Sequence, residues 1–194
     1  MPPPDPSTHP RLVVGITGAS GAILGIRLLE ALKPMPVETH LVLSASARLT
    51  IAQETGWQVD DVLALADVTY DPQDIGASIA SGSFASLGMV IIPCSTKTLS
   101  AVASSYTNDL ISRSADVTLK EGRPLVLVVR ETPLHPGHIR LMGLAAEAGA
   151  VIFPPVPAFY IRPRSIDDIV NNTVGRVLAR LGIANDLYQE WKGE

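Results

Sequence analysis

Short apolar runs alternate along this chain with longer amphipathic stretches, and the alternation predicts strand and helix in turn. Leu12 to Ile16, Val37 to Leu43, Met89 to Ile92, Leu125 to Val129 and Val151 to Phe153 are rich in Val, Ile and Leu, with Val68 to Tyr70 a shorter sixth. Runs of this kind read as strands buried in a parallel sheet. After the first comes a turn with Gly15, Gly18 and Gly21, then a helix whose apolar positions continue through Ile23, Leu24, Leu28 and Leu29. That helix ends near Leu32, because a proline at 34 disfavours helix in the residue ahead of it. Further helices are predicted at Ala45 to Thr55, Val62 to Ala66, Leu99 to Ser104 and Leu110 to Lys120, the last stopped by Gly122-Arg123-Pro124. Ile139 to Ala148 follows with Gly149 as its stop. Ser165 with Asp168 has capping-box spacing and opens a helix running to about Leu181. Ile75 to Leu87 reads as a loop with a helical turn, and Pro154 to Arg164 as a proline-rich loop. The pattern predicts a single doubly wound, mainly parallel α/β domain over 11–183, with ligands at the carboxyl ends of its strands. It leaves a disordered tail at 1–10 and a C-terminal tail at 184–194 that contacts a neighbouring subunit, with Trp191 as its lid or anchor.

Composition narrows the class. At 194 residues and 46% apolar, the chain can bury one sizeable core. Only 3 of those residues are Phe, so the core must be aliphatic. No apolar run approaches the ~18 residues of a membrane helix, and the N-terminus lacks the basic and apolar regions of a signal peptide. The lone Cys94 excludes an internal disulfide and fits a reducing cytoplasm. A net charge of −4 without a basic block argues against nucleic acid.

The chemistry gathers at predicted strand ends. Gly18, Ala19 and Ser20 follow the first strand, where glycines let backbone N–H groups approach a phosphate and a helix dipole favours its charge. Thr17 and Ser20 add hydroxyl donors. The spacing is not G-x-G-x-x-G, so a nucleotide and a flavin both remain open. Ser44 follows the second strand, where a nicotinamide enzyme would carry an acid for the ribose. Ser95, Thr96, Lys97 and Thr98 enter a helix after the Met89 strand, as a second anion- or carbonyl-binding turn. Arg130 and Glu131 follow the Leu125 strand, where a charge is costly unless it binds something. Tyr160, Arg162 and Arg164 lie on the proline-rich loop and Arg176 on the last helix. His135 and His138 have a possible metal spacing, but no acid or cysteine cluster joins them, so no metal site is assigned. Cys94 reads as a small buried residue rather than a nucleophile, and Asp60, Asp61, Asp167 and Asp168 as helix-start acids.

Several runs together resemble the UbiX-type, or Pad-type, flavin prenyltransferases. They are Gly15-Ile-Thr-Gly-Ala-Ser-Gly-Ala22, Ser81-Gly-Ser-Phe84, Pro93-Cys-Ser-Thr-Lys-Thr-Leu-Ser100, Arg113 to Glu121, Arg123 to His135, and Pro157-Ala-Phe-Tyr160. The resemblance covers nearly everything from Arg11 to Trp191. It implies a Rossmann-like, flavodoxin-related protomer in a homododecamer. The implied reaction joins reduced FMN to the dimethylallyl group of dimethylallyl monophosphate, closing a ring across flavin N5 and C6. The product, prenylated FMN, goes to UbiD-type decarboxylases. Carried over by position, Gly18, Ala19, Ser20, Ser44, Ser95 to Thr98 and Arg130 are the FMN contacts. Lys120, Tyr160 and Arg176 are ligands of the prenyl phosphate, with Arg113 nearby. Lys120, Glu131 and Glu54 are the catalytic set. Arg113-Ser-Ala and Gly122 depart from the commoner Arg-Ala-Ala and Arg, at no proposed contact.

The residue chemistry agrees with that reading. Prenyl transfer from a diphosphate uses magnesium on Asp-rich motifs, and no Asp-Asp-x-x-Asp occurs here. Lys, Arg and Tyr can neutralise a monophosphate without a metal. The alternatives are an FMN-dependent cysteine decarboxylase, which would want a histidine where Ser44 to Gly56 has none, and a non-catalytic flavin carrier. A carrier would not need Lys120, Glu131, Tyr160 and Arg176 together.

Overall fold

The computed structural model describes residues 9–191 and 193. Six strands form one all-parallel sheet: β1 (Arg11–Ile16), β2 (Glu38–Leu43), β3 (Val68–Tyr70), β4 (Gly88–Cys94), β5 (Leu125–Val129) and β6 (Val151–Ile152). Their spatial order is β3-β2-β1-β4-β5-β6. The order reverses between β1 and β4, which opens a crevice at the carboxyl ends of those two strands.

The helices are α1 (Ala22–Leu32), α2 (Ala45–Glu54), α3 (Val59–Leu63), α4 (Thr96–Ala103), α5 (Leu110–Lys120), α6 (Pro136–Glu147) and α7 (Ile166–Arg180). Successive strand residues face opposite ways, and each face has its own core. Leu12, Val14, Ile16, Val90, Ile92, Val126 and Val128 pack under α1, α2, α3 and α7. Val13, Met89, Ile91, Leu125, Leu127 and Val129 pack under α4, α5 and α6. Both cores are aliphatic, as the scarcity of aromatic residues required.

Three helices start earlier than their apolar period suggested, and cap chemistry explains two. Ser95 Oγ accepts from Thr98 N at 3.3 Å, so α4 begins at Thr96 rather than Leu99. His135 caps α6 and Pro136 occupies its first turn, which moves its start from Ile139. The helix expected over Val62 to Ala66 lies instead at Val59–Leu63, with Asp60 and Asp61 favouring its dipole. The capping box of Ser165 and Asp168 opens α7 as expected. The loop at 75–87 contains a single 3₁₀ turn, Ser78–Ala80.

Two contacts fix how α1 and the C-terminal segment sit. Gly25 lets α1 press onto the sheet: a Cβ there would stand 2.5 Å from the Ile92 carbonyl oxygen. Gly175 does the same for the segment after α7, where Asn185 Nδ2 donates to Gly175 O at 3.1 Å. That segment folds back along α7 of its own protomer. Most of the 1–10 tail, residues 1–8, lies outside the described residues.

Candidate active site

The crevice between β1 and β4 is stitched by one buried hydroxyl. Thr17 Oγ1 donates to Pro93 O at 2.8 Å and accepts from Ser95 N at 2.8 Å. Thr17 has no exposed surface, so it ties the two turns together and is not the ligand donor that sequence suggested. Ser44 N donates to Ile16 O at 3.1 Å, which brings α2 to the same place. Ser44 Oγ caps α2 through Ala47 N at 3.1 Å. Arg130 N donates to Cys94 O at 3.2 Å and sets the exposed Arg130 beside the β4 turn.

Gly18 has a different reason than expected. A Cβ on it would collide with Ser46 Cβ. The missing side chain therefore admits the first turn of α2, not only a ligand. The start of α1 is also not free for a phosphate. Glu54, at the end of α2, accepts from Gly21 N at 2.8 Å and Ala22 N at 3.4 Å. Its carboxylate occupies the pole that sequence had assigned to an anion. Partial burial raises the Glu54 pKa, but the Gly21 N–H, the Ser20 hydroxyl, the Ala22 N–H and the Arg130 charge together bring it below its ordinary 4.5. Glu54 is thus ionised, and Ser20, Glu54 and Arg130 form one electrostatic group. The anion-binding N–H groups left at the crevice are the first two amides of α2 and of α4, since the Ser44 and Ser95 hydroxyls already accept from the third.

Several predicted FMN contacts serve the frame. Ser95 Oγ and Thr98 Oγ1 lie 3.1 Å apart as part of the α4 cap. Thr96 is half-buried, and Lys97 reaches outward to within 3.9 Å of Asp109. Ala19 N donates to Thr17 O at 2.9 Å and shapes the turn. Glu131 is half-buried and its Oε1 accepts from Thr132 N at 2.9 Å.

The predicted prenyl-phosphate ligands are not all here. Arg176 lines a cavity of about 250 Å³ with Ile152, Phe153, Pro154, Val156 and Thr173, along the β6 edge. Ile152 pairs with Leu127 and Phe153 N donates to Leu127 O at 2.8 Å, so the lining from Phe153 to Val156 runs past the last residue of β6, two strands away from β4. Tyr160, on the 3₁₀ turn that follows the cavity-lining Ala158, donates to Gln189 O at 3.2 Å, and the Trp191 ring meets it edge-on at 5.5 Å. Arg113, in the first half of α5, lies 3.5 Å from Asp116. Lys120 ends α5 at the amino edge of the sheet, opposite the crevice. There it pairs with Glu121 over Gly82, whose carbonyl accepts from Arg123 Nη2 at 2.8 Å. One protomer therefore holds three separate groups: the crevice, the Arg176 cavity and Lys120.

The remaining candidates are structural. The His135 and His138 rings lie against each other at a tilt of 35° with centroids 3.7 Å apart, and His135 Nδ1 accepts from Gly137 N. Burial pushes the Cys94 thiol well above its ordinary pKa and leaves it inert. Sequence missed Glu54 as the cap of α1, because its partners are 33 and 32 residues away in the chain. It also missed Asn172, whose only signal was an amide on the buried face of α7.

A flavoprotein family profile matches residues 2–178. The flavin prenyltransferase UbiX of Escherichia coli K12 is 61% identical over 186 residues, covering 94% of this chain and 98% of that one. The crystal structure of AnUbiX (PadA1) in complex with FMN and dimethylallyl pyrophosphate superposes with a TM-score of 0.94 at 50% identity, covering 96% of this chain and 99% of that one. A dodecameric FMN-dependent UbiX-like decarboxylase from E. coli O157:H7 superposes at 0.92 and 49% identity, covering 94% and 100%. With the crevice, its helix starts and its Ser20–Glu54–Arg130 group in place, the chain belongs to the flavoproteins and, among them, to the UbiX-type flavin prenyltransferases.

Proposed function

We propose that this chain transfers the dimethylallyl group of dimethylallyl monophosphate to reduced FMN, bridging flavin N5 and C6, for use by a UbiD-type decarboxylase. The observation that carries the reading is the crevice itself. It combines two helix starts whose serine caps leave the first two amides free, an exposed Arg130 and an ionised Glu54. FMN fits this donor set, since its phosphate needs backbone N–H groups and a guanidinium without a competing acid at the same pole. Glu54 already fills the start of α1, so the phosphate belongs to the starts of α2 and α4, with Ser44, Ser95 to Thr98 and Arg130. When bound, the reduced flavin supplies the nucleophilic positions.

The chain's own residues then do three things. Arg176 and Tyr160 hold the phosphate of the prenyl donor and stabilise the charge it gains on leaving. To do so, the Tyr160 hydroxyl exchanges Gln189 O for a phosphate oxygen. Glu131, at the end of β5, accepts the proton released from the ring position being alkylated. Glu54 stays charged and balances Arg130.

Lys120 joins this site from another copy of the chain, because its own crevice lies at the far edge of its sheet. The dodecameric relative supports an assembly of that kind here. No helix among the described residues is long and apolar enough to cross a membrane, and with a single buried thiol we place the chain in the cytoplasm. Mass spectrometry of the flavin after anaerobic incubation with reduced FMN and dimethylallyl monophosphate tests the reading. A flavin heavier by one dimethylallyl group is expected, and unchanged FMN would refute it.

A further inference from the structure

Asn172 lies one helical turn before Arg176, on the same face of α7. It is 6% exposed, yet it lines the Arg176 cavity. It also lines a second cavity with Arg162, Arg164 and Gln189, so it forms the wall between the two. Its Nδ2 is buried without a hydrogen-bond partner. Its neighbour Thr173 is satisfied, donating to Ile169 O at 2.8 Å. A buried amide left unpaired is costly, so it persists where something outside the resting fold completes it. The apolar remainder of the cavity, from Ile152, Phe153, Pro154 and Val156, offers no acceptor from its side chains.

We propose that the Asn172 amide donates to a phosphate oxygen of the prenyl donor held by Arg176, and that it is a binding residue of this site. The inference rests on the reading of the Arg176 cavity as the prenyl-phosphate pocket. A primary amide suits the task because it orients one oxygen without adding charge, while Arg176 supplies the charge. The pair then fixes which oxygens face the protein and turns the carbon–oxygen bond to be broken toward the flavin.

Two variants test this. Asn172→Leu keeps the branched outline and removes the orphan donor; Asn172→Asp keeps the shape and turns a donor into an anion. Three readouts are taken: thermal midpoint, calorimetric Kd for dimethylallyl monophosphate on the oxidised FMN complex, and the KM for that donor. For Asn172→Leu, a thermal midpoint no lower than wild type is expected, with Kd and KM raised about tenfold and FMN affinity unchanged. For Asn172→Asp, a larger loss is expected, recovering as pH falls and the new carboxyl protonates. A lower midpoint with unchanged donor Kd in Asn172→Leu would mean a purely structural amide and would overturn the proposal. If the wild-type protein itself binds no donor and forms no prenylated flavin, it is the functional reading that fails.

Discussion

Gly25→Ala isolates how the fold holds its ligand crevice. Gly25 is buried inside α1, where glycine is usually a cost: replacing it with alanine should stabilise a helix interior by about 1 kcal/mol. Here the added carbon would sit 2.5 Å from Ile92 O and 2.7 Å from Ile16 Cδ1. Ordinary contact begins near 3.4 Å, so α1 must lift from the sheet by roughly an ångström. The isoleucine end can rotate, but the carbonyl belongs to a central strand and cannot. Forced overpacking costs about 1–3 kcal/mol, with a rigid backbone neighbour at the upper end. The clash outweighs the propensity gain and leaves a net loss of about 1–2 kcal/mol. For a chain of this length that lowers the thermal midpoint by about 2–8 °C. The turn carrying Gly18 to Gly21 rides on the start of α1, so FMN affinity should fall as well. Thermal unfolding and an FMN titration on the same preparation check both effects. An unchanged or raised midpoint would show that α1 has room to spare and that its approach to Ile92 is incidental.

Arg176→Ala should raise the barrier to prenyl transfer by about 1.5–3 kcal/mol while FMN binding stays nearly constant; loss of FMN with normal transfer on the flavin that remains would contradict the division of the site. Glu54 has a lowered pKa, so its stabilisation is full above its unfolded value near 4.5 and is lost as pH falls through the folded value. The thermal midpoint of Glu54→Gln should therefore lie below wild type at neutral pH, the two curves meeting in acid; a gap that widens in acid would reverse the assignment. Turnover should survive EDTA, because no group of three metal-ligating side chains is placed together among the described residues and the phosphate is met by Arg and Tyr; activity lost to EDTA and restored by magnesium would sink this.

The strands were legible because a doubly buried parallel strand has little freedom in composition: Leu125 to Val129 could hardly be anything else. Helix starts were less so. The apolar period of α4 begins only at Leu99, while its first turn belongs to the Ser95 cap. The glycine turn is legible in the sequence, but only one of its two reasons is. Sequence shows that Gly18 lacks a side chain, and only the fold shows that Ser46 fills the space. Gly25 went unnoticed for a related reason, since a glycine in an amphipathic helix looks like a neutral lapse until the strand behind it is known. The Glu54 cap joins the end of α2 to the start of α1, a pairing that no local pattern encodes.

The place of Lys120, by contrast, follows from connectivity alone. β4 and β5 are parallel neighbours, so the chain between them must return from the carboxyl edge of the sheet to the amino edge before β5 begins. α5 ends this return, and its last residue is Lys120. Any residue there stands a full strand length from Arg130. β5, which lies between the two, has 5 residues, which at about 3.3 Å per residue is some 16 Å. A lysine side chain spans less than half of that. A phosphate held at a crevice of this fold cannot be reached by the Lys120 of the same chain, whatever its rotamer. If Lys120→Ala impairs prenyl transfer, the lysine acts on a neighbour. Mixing Lys120→Ala with Arg176→Ala protomers should then restore part of the activity, through sites that draw each residue from an intact copy. Activity no greater than that of the two variants measured separately would mean that the sites are not shared in this way.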